Sequence, residues 1–111
     1  MKLYLKLMLV FPVLFTINAK ADILTTNLSQ VGSISTNDAF VYTSQAAQSW
    51  PLCAQYPTKI SWDKLTVAGQ QMLANALSAF ALSKTVSITY SNVSCGYGGN
   101  WLLAEQIAIV N

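Results

Sequence analysis

The hydrophobic pattern changes from helical to strand-like within one stretch, "TVAGQQMLANALSAFALSKTVSITY" at residues 66–90. In its first part apolar residues recur every three or four positions, which predicts an amphipathic helix. These residues are Leu73, Ala76, Leu77 and Phe80. Thr66 is a suitable N-cap for this helix.

The end of the same stretch predicts a strand. Val86, Ile88 and Tyr90 alternate with Ser87 and Thr89, and this period of two is typical of a half-buried strand. The chain therefore leaves its helix and enters a sheet within a few residues.

Strands are also predicted upstream of the helix. Residues 31–36 and 39–44 are rich in β-branched and aromatic residues, and Asn37-Asp38 between them tolerates turn conformations. An earlier strand at 23–26 is a further candidate, and "KISW" at 59–62 predicts a short strand that delivers Trp62.

Downstream, "CGYGGNW" at residues 95–101 is followed by a final apolar strand. The glycines favour a tight turn with positive φ angles, and a binding rim formed by Tyr97, Asn100 and Trp101 is the alternative. Glu105-Gln106 within the last strand indicates a bulge or an exposed face.

The predicted order, β-β-β-α-β-β, gives a fold that is mainly β with one helix. It matches an OB-like five-stranded barrel with a single helix. An open α+β sheet with the same order is the alternative.

Residues 1–21 predict export. Lys2 and Lys6 give a positive start, residues 7–17 form an apolar run, and 19–21 have the small-x-small pattern of a cleavage site. A membrane anchor, the alternative, needs about 20 apolar residues. We therefore expect a signal peptide at 1–21, a single domain at 22–111, a secreted or periplasmic location, and no membrane span after removal of the leader.

Charge argues against nucleic-acid binding. Beyond residue 21 three lysines stand against four carboxylates, a formal net charge of −1, and the chain has no arginine. No basic stripe is available to neutralise several phosphates.

The chain holds two cysteines, Cys53 and Cys95, and no histidine. An even pair in an exported chain predicts a disulfide, and two cysteines alone are too few ligands for zinc. Without an imidazole, neither a Ser-His nor a Cys-His relay can form. We expect a protein that is not an enzyme and has no catalytic residue, metal or cofactor.

Aromatic residues provide the positive indication of function. Rings with a polar tip suit surfaces that are half apolar and half wet, and sugars present the same mixture of C–H faces and hydroxyls. The residues concerned are Tyr42, Trp50, Tyr56, Trp62, Tyr90, Tyr97 and Trp101. Packing in the core is the alternative interpretation for each ring.

Residues 31–111 resemble small exported bacterial proteins related to the B subunit of subtilase cytotoxin. The resemblance rests on the segment from Cys53 to Trp62, the helix and strand at 66–90, and Cys95. The matching positions within 66–90 are Thr66, Gly69, Leu77, Ala79, Lys84, Val86 and Ile88. A glycine usually precedes this lysine in the relatives, and Ser83 replaces it here.

The resemblance implies an OB-fold, a homopentamer, an enzymatic partner subunit and recognition of sialylated host glycans in virulence. In the toxin member a tyrosine in a V-x-I-x-Y context lines the glycan pocket, and "VSITY" nominates Tyr90. That pocket also uses a serine on the first strand, for which Ser33 and Ser35 are the candidates. Tyr97 and Trp101 are secondary candidates. Tyr90→Ala is expected to abolish sugar binding and to leave the fold intact.

Two functional hypotheses follow. The first is a secreted, non-catalytic, lectin-like protein that binds host glycan and delivers an enzymatic partner. The second is a periplasmic structural or inhibitory protein that binds another protein through a sheet edge or through the Trp50 and Trp101 surfaces.

Overall fold

The computed structural model describes residues 21–110, so the predicted leader lies outside the described residues except for Ala21. Six strands and one α-helix follow each other along this part of the chain. They are β1 (Ala21–Thr26), β2 (Leu28–Ser33), β3 (Asp38–Thr43), β4 (Tyr56–Asp63), α1 (Val67–Ala81), β5 (Val86–Cys95) and β6 (Trp101–Ile109).

All six strands belong to one mixed sheet, in the order β1-β5-β6-β4-β3-β2. The β4–β6 pair is parallel and the other four pairs are antiparallel. The outer strands β1 and β2 each pair with one neighbour, so this sheet is not closed into a barrel. The mainly β class with a single helix is confirmed, whereas the five-stranded OB-like barrel is not.

The difference in strand number arises at the start of the domain. Residues 21–33 form two strands separated by Asn27, so the candidate strand at 23–26 is present in full. The strand predicted at 31–36 begins earlier and ends at Ser33. Beyond it the Ser35 hydroxyl accepts hydrogen bonds from the backbone N–H groups of Asn37 and Asp38, which holds the chain in a turn.

The helix has the predicted cap but a different buried face. The Thr66 hydroxyl accepts a hydrogen bond from the Gly69 N–H at 2.9 Å. The buried residues are Gly69, Met72, Ala76 and Ala79, whereas Leu77 and Phe80 are 49% and 45% exposed. Of the four apolar residues whose spacing predicts the helix, Ala76 is buried and Leu73 packs against the core, whereas the other two lie at the flank.

Small residues explain this orientation of α1. The indole N–H of Trp62 donates to the Gly69 carbonyl at 2.9 Å, and a Cβ atom at Gly69 would overlap the carbonyl oxygen of Asp63. The helix therefore approaches β4 too closely for a larger side chain at this position, and its bulkier apolar residues are displaced to the flank.

Just beyond the end of α1 the chain passes through a residue in the left-handed region. Ser83 has φ 55°, and the Lys84 N–H donates to the Ala79 carbonyl at 2.8 Å. This is the position where the resembling proteins carry glycine, which adopts positive φ without strain. Ser83 therefore adopts a backbone conformation that glycine adopts more readily.

The core lies between the sheet and α1, which packs against β6 and β2. Its largest fully buried side chains include Trp62, Tyr90 and Ile60. Cys53 and Cys95 form the predicted disulfide, 42 residues apart in sequence, and Cys95 packs against the core. This bond ties the loop between β3 and β4 to the end of β5.

The glycine-rich segment is a turn, as its composition predicts. Residues Tyr97–Gly99 form one 3₁₀ turn in which Gly98 and Gly99 have φ angles of 68° and 77°. Glu105 has no partner in the β5–β6 register, because Thr89 pairs with Gln106 and Tyr90 with Ala104. The predicted bulge is therefore present.

Candidate functional site

A groove of about 580 Å³ lies between β1 and the loop that follows β3. β1 supplies one wall and the loop supplies the other. The lining residues are Asp22, Ile23, Leu24, Thr25, Thr26, Asn27, Gln45, Ala46, Gln48, Ser49, Thr85 and Tyr90. We call this site the β1 groove.

One end of the β1 groove is closed by hydrogen bonds to Ser49. The Ser49 hydroxyl donates to Asp22 Oδ2 at 2.8 Å, and the Tyr90 hydroxyl donates to the Ser49 carbonyl at 2.5 Å. Asp22 and Tyr90 are direct partners in the β1–β5 register, so their side chains lie on the same face of the sheet. The loop is thereby anchored to two adjacent strands.

The other end is closed around Asn27. The Asn27 carbonyl accepts hydrogen bonds from the backbone N–H and the hydroxyl of Ser44 at 2.9 and 3.1 Å. Its side-chain oxygen accepts from the Thr85 hydroxyl at 3.1 Å, and the Gln45 N–H donates to Thr26 Oγ1 at 3.0 Å. Hydrogen bonds therefore fix the β1 groove at both ends and leave its middle part open.

The open middle part of the β1 groove is polar but almost uncharged. Thr25, Gln45 and Gln48 are exposed there, and Ile23 is 68% exposed beside them. Among the lining residues within the described part of the chain, only Asp22 carries a charged side chain. Hydroxyl and amide groups both donate and accept hydrogen bonds, so the site suits a ligand rich in hydroxyl groups.

A second cluster surrounds Trp101 on β6. The rings of Phe40, Tyr42, Tyr56 and Tyr97 lie 5.6–6.5 Å from the Trp101 ring, measured between centroids. Lys59 Nζ lies 4.5 Å from the Tyr56 centroid and 5.5 Å from that of Trp101, within cation–π range. Trp101 is only 8% exposed and Tyr97 is 39% exposed, so the cluster is mainly packed interior with one accessible edge.

The five predicted glycan-binding residues do not form one site. Tyr90 lines the β1 groove, whereas Tyr97 and Trp101 belong to the aromatic cluster. Ser33 Oγ accepts a hydrogen bond from Lys64 Nζ at 2.8 Å, and Ser35 holds the β2–β3 turn. Neither serine lines the groove.

The residues that accompany Tyr90 in the β1 groove were not predicted from the sequence. Asp22 joins it through the β1–β5 register, and Ser49 and Gln48 join it through the loop. The polar composition of residues 44–49 was the available signal, but the position of the loop follows from contacts between distant parts of the chain.

Tyr90 is itself a core residue, 2% exposed. Its ring is therefore needed for packing as well as for its hydroxyl contact. Because Tyr90→Ala would remove a large buried side chain, we now expect this substitution to destabilise the fold.

Within residues 21–110, no group of three or more His, Cys, Asp or Glu side chains is arranged to hold a metal ion. No helix in this part of the chain is long and apolar enough to cross a membrane.

Comparison with protein-family models, with curated proteins and with solved structures found no match. The toxin B-subunit-like pattern of residues 31–111 is therefore a resemblance in sequence pattern only.

Proposed function

We propose that this protein is an exported, non-catalytic, lectin-like protein that binds a glycan in the β1 groove. The observation that carries the proposal is the lining of that groove, in which the described residues contribute hydroxyl and amide side chains and one carboxylate. Such groups match the alternating donors and acceptors of a sugar. Ile23, 68% exposed, adds an apolar surface for the C–H face of a sugar ring.

The fixed ends of the groove support the same proposal. The loop wall is held by Ser49 at one end and by Gln45 at the other, and between them the Ala47 N–H donates to the Pro57 carbonyl at 2.9 Å. A wall that is ordered before binding reduces the entropy lost when a ligand is held. This matters for sugars, whose individual contacts are weak.

The resemblance extends the proposal to sialylated host glycans, a homopentamer and an enzymatic partner subunit.

The resemblance also implies an OB-like barrel. We propose that β1 and β2 act as one strand bent at Asn27, which would bring the two outer positions of the sheet together. Asn27 contacts Ser44 next to β3 and Thr85 next to β5, and this supports such a closure.

A double variant in the open middle part of the β1 groove tests glycan binding. Thr25→Ala combined with Gln48→Ala removes two exposed polar side chains, and we expect sugar affinity to fall about thirtyfold, since each lost hydrogen bond contributes about 1 kcal/mol. Calorimetric titration of a glycan selected on an array measures this change. The matched control is Gln30→Ala combined with Thr36→Ala, two exposed residues outside the groove. Equal weakening in both variants, or none in either, would contradict the assignment.

A second candidate function is protein binding through the flank of α1. Leu77, Phe80 and Leu82 are 49%, 45% and 65% exposed, and adjacent exposed apolar side chains indicate an interaction surface. Further copies of the chain, as in the homopentamer, are the proposed occupants.

Leu77→Ser combined with Phe80→Ser tests this surface. We expect the wild-type protein to elute as an oligomer in size-exclusion chromatography with light scattering and the variant to elute as a monomer. Ser78→Ala on an exposed position of the same helix is the control. A monomeric wild-type protein would reject self-association through α1, and capture of a stoichiometric periplasmic partner by that monomer would favour the structural or inhibitory alternative.

A further inference from the structure

Three rings of the aromatic cluster surround the ammonium group of a lysine. Lys59 Nζ lies 5.6, 4.5 and 5.5 Å from the ring centroids of Tyr42, Tyr56 and Trp101. All three distances are within the range at which the face of a ring attracts a cation. We call these three rings the β4 cage. They are absent from the described lining of the β1 groove, so the cage is a separate place on the molecule.

The pairing of strands brings the β4 cage together. Tyr42 on β3 is the direct partner of Lys59 on β4, and Tyr56 on β4 is the direct partner of Trp101 on β6. Side chains three residues apart on a regular strand point to opposite faces of the sheet, but the β4–β6 register shifts between Tyr56 and Ile60. Such irregularities re-aim side chains. The Tyr56 ring and the Lys59 ammonium can therefore meet at one place.

Ring contacts hold the ammonium in the β4 cage. Within residues 21–110, no hydrogen bond or ion pair of Lys59 accompanies these contacts. Lys59, Tyr42 and Tyr56 are only half-buried, and cation–π contacts are weak where solvent reaches them. A released lysine side chain also regains rotamer freedom. Another cation can therefore replace Lys59 at small cost.

We propose that the β4 cage binds the quaternary ammonium group of choline, and that Lys59 is its internal competitor. The ammonium of lysine is compact and strongly hydrated, whereas the methyl groups of a trimethylammonium ion pack directly against aromatic rings. Aromatic cages recognise quaternary ammonium ligands in this way. The site is independent of glycan binding in the β1 groove.

Titration with choline chloride at constant ionic strength, followed by NMR chemical shifts of the backbone amides, measures the affinity. Lys59→Ala removes the internal competitor, and we expect choline affinity to rise about fivefold. Lys84→Ala is the matched control, because it removes the same charge from an exposed residue outside the cage, and we expect wild-type affinity.

A second variant removes a wall of the cage. The Tyr56 ring is the nearest of the three to Lys59 Nζ, and we expect Tyr56→Leu to lower choline affinity by at least about fivefold. The urea midpoint shows whether this variant is folded. Tyr42→Leu, which removes another half-buried ring, takes its place if it is not.

Three results would overturn the inference. They are an absence of choline binding in both the wild-type protein and Lys59→Ala, an affinity in Lys59→Ala no higher than in Lys84→Ala, and wild-type affinity in the folded ring variant. Glycan affinity of the β1 groove is measured separately, so each of these results leaves the proposed function untouched.

Vesicles distinguish the two sources of a choline group. Co-sedimentation with phosphatidylcholine vesicles that free choline competes away would support the inference and assign the ligand to a lipid surface. Binding of free phosphocholine without co-sedimentation would support it with a soluble choline compound as the ligand.

Discussion

Removal of the disulfide by Cys53→Ala together with Cys95→Ala is expected to lower the free energy of unfolding by about 4 kcal/mol. The bond joins residues 42 positions apart, so in the chain-entropy model its loss releases a long loop in the unfolded state. Small domains have total stabilities of only about 5–15 kcal/mol. We therefore expect a large decrease in the urea midpoint, measured by equilibrium unfolding.

The same variant is expected to weaken glycan binding even where it remains folded. Cys53 lies in the loop that carries Gln45, Gln48 and Ser49, so its release gives one wall of the β1 groove more conformational freedom. Leu52→Ala is the matched control, because Leu52 neighbours Cys53 and is fully exposed, and exposed substitutions usually change stability by less than about 0.5 kcal/mol. A loss below about 1 kcal/mol in the double cysteine variant would contradict the structural role of the bond.

Local signals in the sequence predicted the parts of the fold that depend on neighbouring residues. The Thr66 cap, the positive φ angles at Gly98 and Gly99, and the alternation that forms β5 are each decided within a few residues. The disulfide followed from counting, since only two cysteines are present. These features needed no knowledge of the sheet order.

The parts that were missed depend on contacts between distant residues. The helical period fixed which apolar residues share a side of α1, but not which side meets the sheet. Met72 and Ala79 are buried while Leu77 is exposed, because the Trp62–Gly69 contact draws that side of the helix inward. The sheet order likewise depends on pairings such as β1 with β5, which are separated by most of the chain.

The residues of the candidate site also fall into those that a local pattern predicted and those that depend on distant contacts. The resemblance nominated Tyr90 through the short pattern "VSITY", and this residue lines the β1 groove. Ser33 was proposed without a register, and β2 places it beside Lys64 instead. Asp22 faces Tyr90 through strand pairing, and no local pattern around Asp22 indicates this.

Two substitutions at Tyr90 are expected to separate its packing role from its hydroxyl contact. Tyr90→Ala removes a ring that is 2% exposed, and we expect a loss of about 3–5 kcal/mol in the free energy of unfolding. In a domain of this size that corresponds to a decrease in Tm of at least about 12 °C. Tyr90→Phe keeps the ring, so its loss should be close to the 1 kcal/mol typical of one hydrogen bond. Thermal unfolding followed by circular dichroism measures both.

Glycan affinity of the folded Tyr90→Phe variant then tests the site. Without the hydroxyl, the Ser49 carbonyl loses its donor and the loop wall loses one of its anchors, so we expect affinity to fall about five- to tenfold. Tyr56→Phe is the matched control, because Tyr56 lies in the aromatic cluster and not in the groove. Wild-type affinity in Tyr90→Phe would show that the hydroxyl has no part in binding. In that case Tyr90 would be a core residue beside the β1 groove. Any ligand contacts would come from the exposed threonine and glutamine side chains in the open middle part of the groove.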